Sequence, residues 1–95
     1  MSGQLRIINN VVIASGSSSA SSSALVIPTG LIRVVATVES HISFTATTGT
    51  ADVADMVIGA GQVNLFLVSD GTFINGIRAH STSGVISITC VSLGR

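Results

Sequence analysis

The sequence predicts an all-β fold: a small antiparallel β-sandwich or jelly-roll-like barrel of seven to eight strands. Three observations carry that reading. Apolar and polar residues alternate at a period of two in segment after segment, the spacing of a strand with one buried and one wet face. Turn-forming residues recur roughly every eight to twelve positions, as in all-β sandwiches. No stretch of the 95 residues repeats its apolar side chains at helical spacing.

Gln4 to Ala14 (QLRIINNVVIA) is apolar at both ends around Asn9-Asn10. It reads as one strand with a bulge or as two short strands about an Asn-Asn turn, because asparagine tolerates a left-handed backbone. One long strand is favoured, an arm of the kind that can be lent to a neighbouring subunit. Ser15 to Ser23 (SGSSSASSS) is low-complexity and has nothing to pack a core with, so it is expected to be loop or linker. The chain is thereby divided into an N-terminal arm with its serine-rich linker, residues 1–23, and a β-sandwich domain, residues 24–95.

Ala24 to Ile27 is expected as a short strand and Pro28-Thr29-Gly30 as its turn. Leu31 to Phe44 (LIRVVATVESHISF) organises the rest and reads as two strands joined by a tight turn. Ile32, Val34, Ala36 and Val38 alternate with Arg33, Thr37 and Glu39; then Ile42 and Phe44 point inward against His41, Ser43 and Thr45. Thr45 to Ala54 is a loop of small polar residues, and Met56 to Ile58 is a brief strand ended by Gly59-Ala60-Gly61. Val63 to Val68 (VNLFLV) is nearly continuously apolar, which suits a strand covered on both faces by a second sheet or by another subunit. Ser69 to Thr72 is a turn and Phe73 to Ala79 the returning strand, with Gly76 marking a bulge or a close backbone approach. His80 to Gly84 turns the chain again. Val85 to Val91 closes it, with Ile86, Ile88 and Cys90 on one face and Ser87 and Thr89 on the other.

Charge is scarce. Only 8% of residues are charged, against roughly 25% in an average soluble protein. There is no lysine; Arg6, Arg33, Arg78 and Arg95 balance Glu39, Asp52, Asp55 and Asp70 to a net charge of zero. A chain this poor in charge and rich in Val and Ile associates readily, so it is expected to live in an assembly. Four scattered arginines make no basic stripe, and no Trp or Tyr offers a stacking platform, so nucleic acid is not an expected partner. No apolar run approaches the ~20 residues of a membrane-spanning helix, and no membrane partner is expected. The first ten residues lack the basic and apolar regions of a secretory signal.

The residue types of catalysis are present without their patterns. Serine is abundant, but no G-x-S-x-G elbow stands between a strand and a helix. His41 falls on an outward strand face and His80 in a turn, both read as surface imidazoles, and they lack the cysteine neighbours of a zinc site. Asp52 and Asp55 are read as solvated loop acids, since their spacing matches no calcium loop. Cys90 lies on the inward face of its strand, where an inert buried thiol is expected. No catalytic residue, cofactor or metal site is assigned. The candidates for function are contacts: Arg33 and Arg78, each interrupting an apolar strand and able either to pair with an acid on a neighbouring strand or chain or to lie outward along the sheet surface, and the apolar positions Val63, Leu65 and Leu67.

One ordered set of segments resembles a family. Ile32 to Val38 is followed directly by His41-Ile42-Ser43-Phe44, then by a Thr/Ala/Gly loop and by Asp55 to Gly61. A Gly-Thr turn into Ile74 to Arg78 and the closing Ser83 to Thr89 complete it. This order, over roughly three-quarters of the chain, resembles small virion proteins of tailed phages of the capsid decoration, or cement, type. The resemblance implies a small β-sandwich, often trimeric, on the capsid exterior, with the major capsid protein and its own copies as partners. A head-fibre base, a tail or baseplate module, and a carbohydrate-binding β-sandwich are the alternatives. The arm and serine tract fall outside the resemblance.

Overall fold

A computed structural model of the chain describes the backbone of residues 4–27, 30–52 and 55–94, and side chains between positions 10 and 91. Among the described residues the structure is all-β. Eight strands run in order: β1 (Gln4–Ser15), β2 (Ala20–Ser21), β3 (Leu31–Ala36), β4 (Ser40–Thr45), β5 (Met56–Ile58), β6 (Asn64–Leu67), β7 (Phe73–Arg78) and β8 (Gly84–Gly94). They form two four-stranded sheets, β1–β8–β3–β6 and β2–β7–β4–β5. Every strand pair is antiparallel, and the nesting is regular: β1 with β8, β2 with β7, β3 with β6, β4 with β5. That is the strand order of a jelly roll, a long antiparallel hairpin rolled into two facing sheets.

The alternation places the core. Ile32, Val34, Ala36, Ile86, Ile88 and Cys90 point inward from the first sheet and Ile42, Ile58 and Ile74 from the second, each at 2% exposure or less. Phe44 and Phe66 meet edge to face across the two sheets, ring centroids 5.1 Å apart. Gly76 is a close approach, not a bulge: a Cβ there would overlap Ile86 Cδ1. At the β6–β7 turn Gly71 takes φ of +85°, and Thr72 N–H donates to Ser69 O at 3.1 Å.

Four expectations are corrected. Leu31 to Phe44 is no hairpin: β3 pairs with β6 and β8, β4 with β5 and β7, so the segment steps from one sheet to the other. Alternation says which side of a strand is buried, not which strand lies beside it, and two strands facing one core from opposite sheets alternate just as a hairpin does. Ala24 to Ile27 forms no strand, although Leu25 and Ile27 are buried and Leu25 N–H donates to Thr72 O at 3.0 Å; the turn expected after it falls at Pro28 and Thr29, outside the described residues, with Gly30 beyond it at φ of +77°.

The other two concern the N-terminal quarter. β1 is one 12-residue strand, shifted in register between Ile7 and Asn9, and it lies against β8 of its own chain. The serine tract is built in. Ser15 is fully buried with its Oγ 2.6 Å from Ser40 Oγ; Ser40 donates its own proton to Val38 O, so Ser15 is the donor. Ser22 Oγ accepts from Ile74 N–H at 3.0 Å, and Ala20-Ser21 pairs with β7. Residues expected as arm and linker thus supply a strand to each sheet. Serine hydroxyls reach backbone groups at short range, a capacity that composition does not reveal.

Candidate interaction surface

The two sheets treat their outer faces differently. On the second sheet Ser43, Thr45 and Asn75 point outward, and the loop after β4 folds over them. Asn75 is fully buried and makes four hydrogen bonds. Its Nδ2 donates to Ser43 Oγ (3.2 Å) and Thr45 Oγ1 (3.0 Å); its Oδ1 accepts from Ser21 Oγ (2.6 Å) and Gly49 N–H (3.3 Å). Ser43 and Thr45 pass their own protons to Thr50 O and Thr47 O. Ser19 Oγ holds Ala51 N–H at 2.8 Å. His41 Nδ1 lies 3.0 Å from Asp55 O, which leaves that ring buried, at 8% exposure, rather than on the surface as its outward register predicts.

The first sheet has no such roof among the described residues. Cross-strand register sets its outward side chains in rows: Leu67 beside Leu31, Leu65 beside Arg33 and Thr89, and Val35 beside Ser87 and Val12. Val85 and Ala14 follow at the far end. Of these, Val12 is 55% exposed, Leu65 61%, Leu67 80% and Val85 41%, and Val63 at the entry to β6 is 57% exposed. The polar members bond to each other: Asn10 Oδ1 accepts from Thr89 Oγ1 at 2.7 Å and from Ser87 Oγ at 3.1 Å. Arg33 is exposed and is the one charged side chain in these rows, and no carboxylate stands within ion-pair distance of it among the described residues.

Val63, Leu65, Leu67 and Arg33 are therefore brought together by β6 and β3. Arg78 is not: it ends β7 on the second sheet, half-buried, and its Nη1 donates to Ser83 Oγ at 2.6 Å. VNLFLV is covered on one side only. Asn64 and Phe66 turn inward while the residues between them are bare, because the described chain supplies no layer over the first sheet. Val12 and Val85 are members that the sequence did not single out; their alternation with Ile13 and Ile86 was the available signal. An open groove of about 430 Å³ adjoins the face at Leu67, lined also by Phe44, Ala46, Val68 and Thr72.

The titratable groups do not converge. His80 pairs with Glu39 at the surface, and Asp55 Oδ2 accepts from Asp52 N–H at 2.8 Å. Cys90 is fully buried, and desolvation raises its thiol above the ordinary value of 9.0. No group of three or more His, Cys, Asp or Glu side chains able to hold a metal ion occurs among the described residues, and no described helix is long and apolar enough to cross a membrane. Comparisons with protein-family models, with curated proteins and with solved structures return no match.

Proposed function

We propose that this chain is a structural subunit of a virion, a decoration or cement protein that sits on the capsid exterior beside the major capsid protein and its own copies. The observation that carries the reading is the bare apolar face of the first sheet on a net-neutral jelly roll, which fits a protein whose work is contact. The ordered sequence resemblance supports it. So does fold-level analogy, since jelly rolls recur in viral capsid proteins; they recur in lectins and cupins too, so the analogy alone does not choose. Against a carbohydrate site, the three phenylalanines are engaged: Phe44 and Phe66 with each other and the core, Phe73 half-buried on β7.

Imaging the assembled particle at side-chain resolution tests the proposal. Density for the chain on the outer surface of the shell is expected. Density confined to tail, baseplate or fibre, or a free chain that binds glycans at micromolar affinity and no particle, overturns it.

A further inference from the structure

A decoration subunit meets its own copies, and the choice of a joining surface rests on the proposed function for that expectation alone. We infer that the outer face of the first sheet, centred on Leu65, Arg33 and Val12, is the surface through which one copy of this chain binds a second copy.

The second sheet defines the contrast. Its outward polar side chains Ser43, Thr45 and Asn75 are spent on the chain's own loop, with Asn75 fully bonded; of its outward apolar side chains Phe73 and Ile77 are half-buried, and Val57 is exposed at the sheet edge. The first sheet exposes valine and leucine along both flanks and has no roof among the described residues.

Size suits a concentration-dependent pair. Four strands at ~4.8 Å spacing and about six residues at ~3.3 Å give a face of roughly 19 by 20 Å, or ~380 Å² in projection. Two such faces in contact remove roughly 800 Å² from water before side-chain relief is counted, within the range of weak, transient interfaces below ~1,200 Å².

Shape and charge then select the occupant. Sheets twist with one hand, and aligned sheets stack when their twists match; a copy of the same sheet carries the same twist by construction. A net-neutral chain meets no overall Coulomb repulsion from itself. Arg33 needs acceptors, since its guanidinium only donates, and its alkyl stem can cover apolar neighbours while the head reaches across. The face itself presents an acceptor: the hydroxyl oxygen of half-buried Ser87 keeps a lone pair after donating to Asn10. A second copy laid strand-on-strand offers Arg33 that oxygen and offers Leu65 and Leu67 an apolar floor.

The test is the mass of the purified full chain by sedimentation velocity, from about 1 to about 100 µM, with far-UV circular dichroism and thermal melting as the folding control. Wild type is expected to sediment as an oligomer. Leu65→Glu and, independently, Val12→Glu are expected to sediment as folded monomers, with self-affinity lowered at least 100-fold. Leu67→Ser, a milder change at the most exposed position, is expected to weaken association about tenfold with an unchanged melt in the monomer. Val57→Glu, on an edge of the second sheet, should leave the mass as it is. A wild type that stays monomeric at 100 µM overturns the inference, and so does an oligomer whose mass none of the first-sheet variants changes. A monomeric wild type whose attachment to capsid shells is lost in Leu65→Glu would give the face to the shell, overturning the inference while leaving the decoration reading intact. An oligomer broken by these variants but absent from the capsid exterior would do the reverse.

Discussion

Two faces of one small jelly roll solve the same problem by opposite means. A sheet buried on one side leaves a second side to account for. On the β2–β7–β4–β5 sheet the chain accounts for it alone: Asn75 and hydroxyls from β2 and β4 hold the loop of residues 46–52 down as a roof. On the β1–β8–β3–β6 sheet a bonded polar middle of Asn10, Ser87 and Thr89 is flanked by exposed Val12, Leu65, Leu67 and Val85. A face covered by hydrogen bonds to its own loop is finished when the chain folds. A face of valine and leucine is finished when something else arrives. Thus the roofed face bears on stability, and the bare face is the one we propose for association.

The largest effect should come from the core that both faces share. Val34 is fully buried on β3, and Val34→Asp sets an unpaired carboxylate in the apolar core, beside Ile88 on β8, at a cost of more than about 4 kcal/mol. We expect no soluble cooperative folder by expression and thermal melting; if one appears, the inside-outside assignment fails. Asn75→Ala comes next. It strands the partners of four hydrogen bonds, for a loss of about 3 kcal/mol in denaturant unfolding, with faster proteolysis in residues 46–52 and no change in oligomer mass. A change in mass without a change in stability would erase the distinction between the faces. Gly76→Ala is expected to cost about 2 kcal/mol, since its Cβ must displace Ile86 Cδ1 in a packed interior; a neutral melt would show that the sheets can part there.

The smallest effect is a pH dependence. Burial raises the Cys90 thiol in the folded state, so the folded chain holds its proton where the unfolded chain releases it. The contribution is present in full below 9.0, the ordinary value, and declines as pH rises through and beyond it. Denaturant midpoints measured from pH 7 to 10 should fall at the alkaline end, and the fall should flatten in Cys90→Ala. Thiol labelling of the native chain should proceed only as fast as it unfolds.

Much of this fold was legible in sequence. The period of two marked Ile32, Val34, Ala36, Ile42, Ile86, Ile88 and Cys90 as inward, and the turn at Ser69–Thr72 was readable from residue type, while Gly76 was legible only as a bulge or a close approach until the packing against Ile86 decided between them. Part of the candidate surface was readable too: Val63, Leu65, Leu67 and Arg33 stood out as an apolar run and a misplaced cation. Val12 and Val85 did not, because a valine in an alternating strand looks alike whether the layer above it is present or missing. Ser43 and His41 show the same limit from the other side. Their register is outward as expected, yet a loop distant in pairing closes over them.

What the chain determined by itself is therefore which side of each strand turns from water, since apolar transfer is local to the side chain and alternation records it residue by residue. Which strands lie together, why β3 and β4 belong to different sheets, and which outer face is left bare were decided only by tertiary structure. Those depend on where distant segments such as the serine tract and the loop after β4 find hydrogen-bond partners, and a donor or acceptor carries no mark in sequence of the partner it will meet.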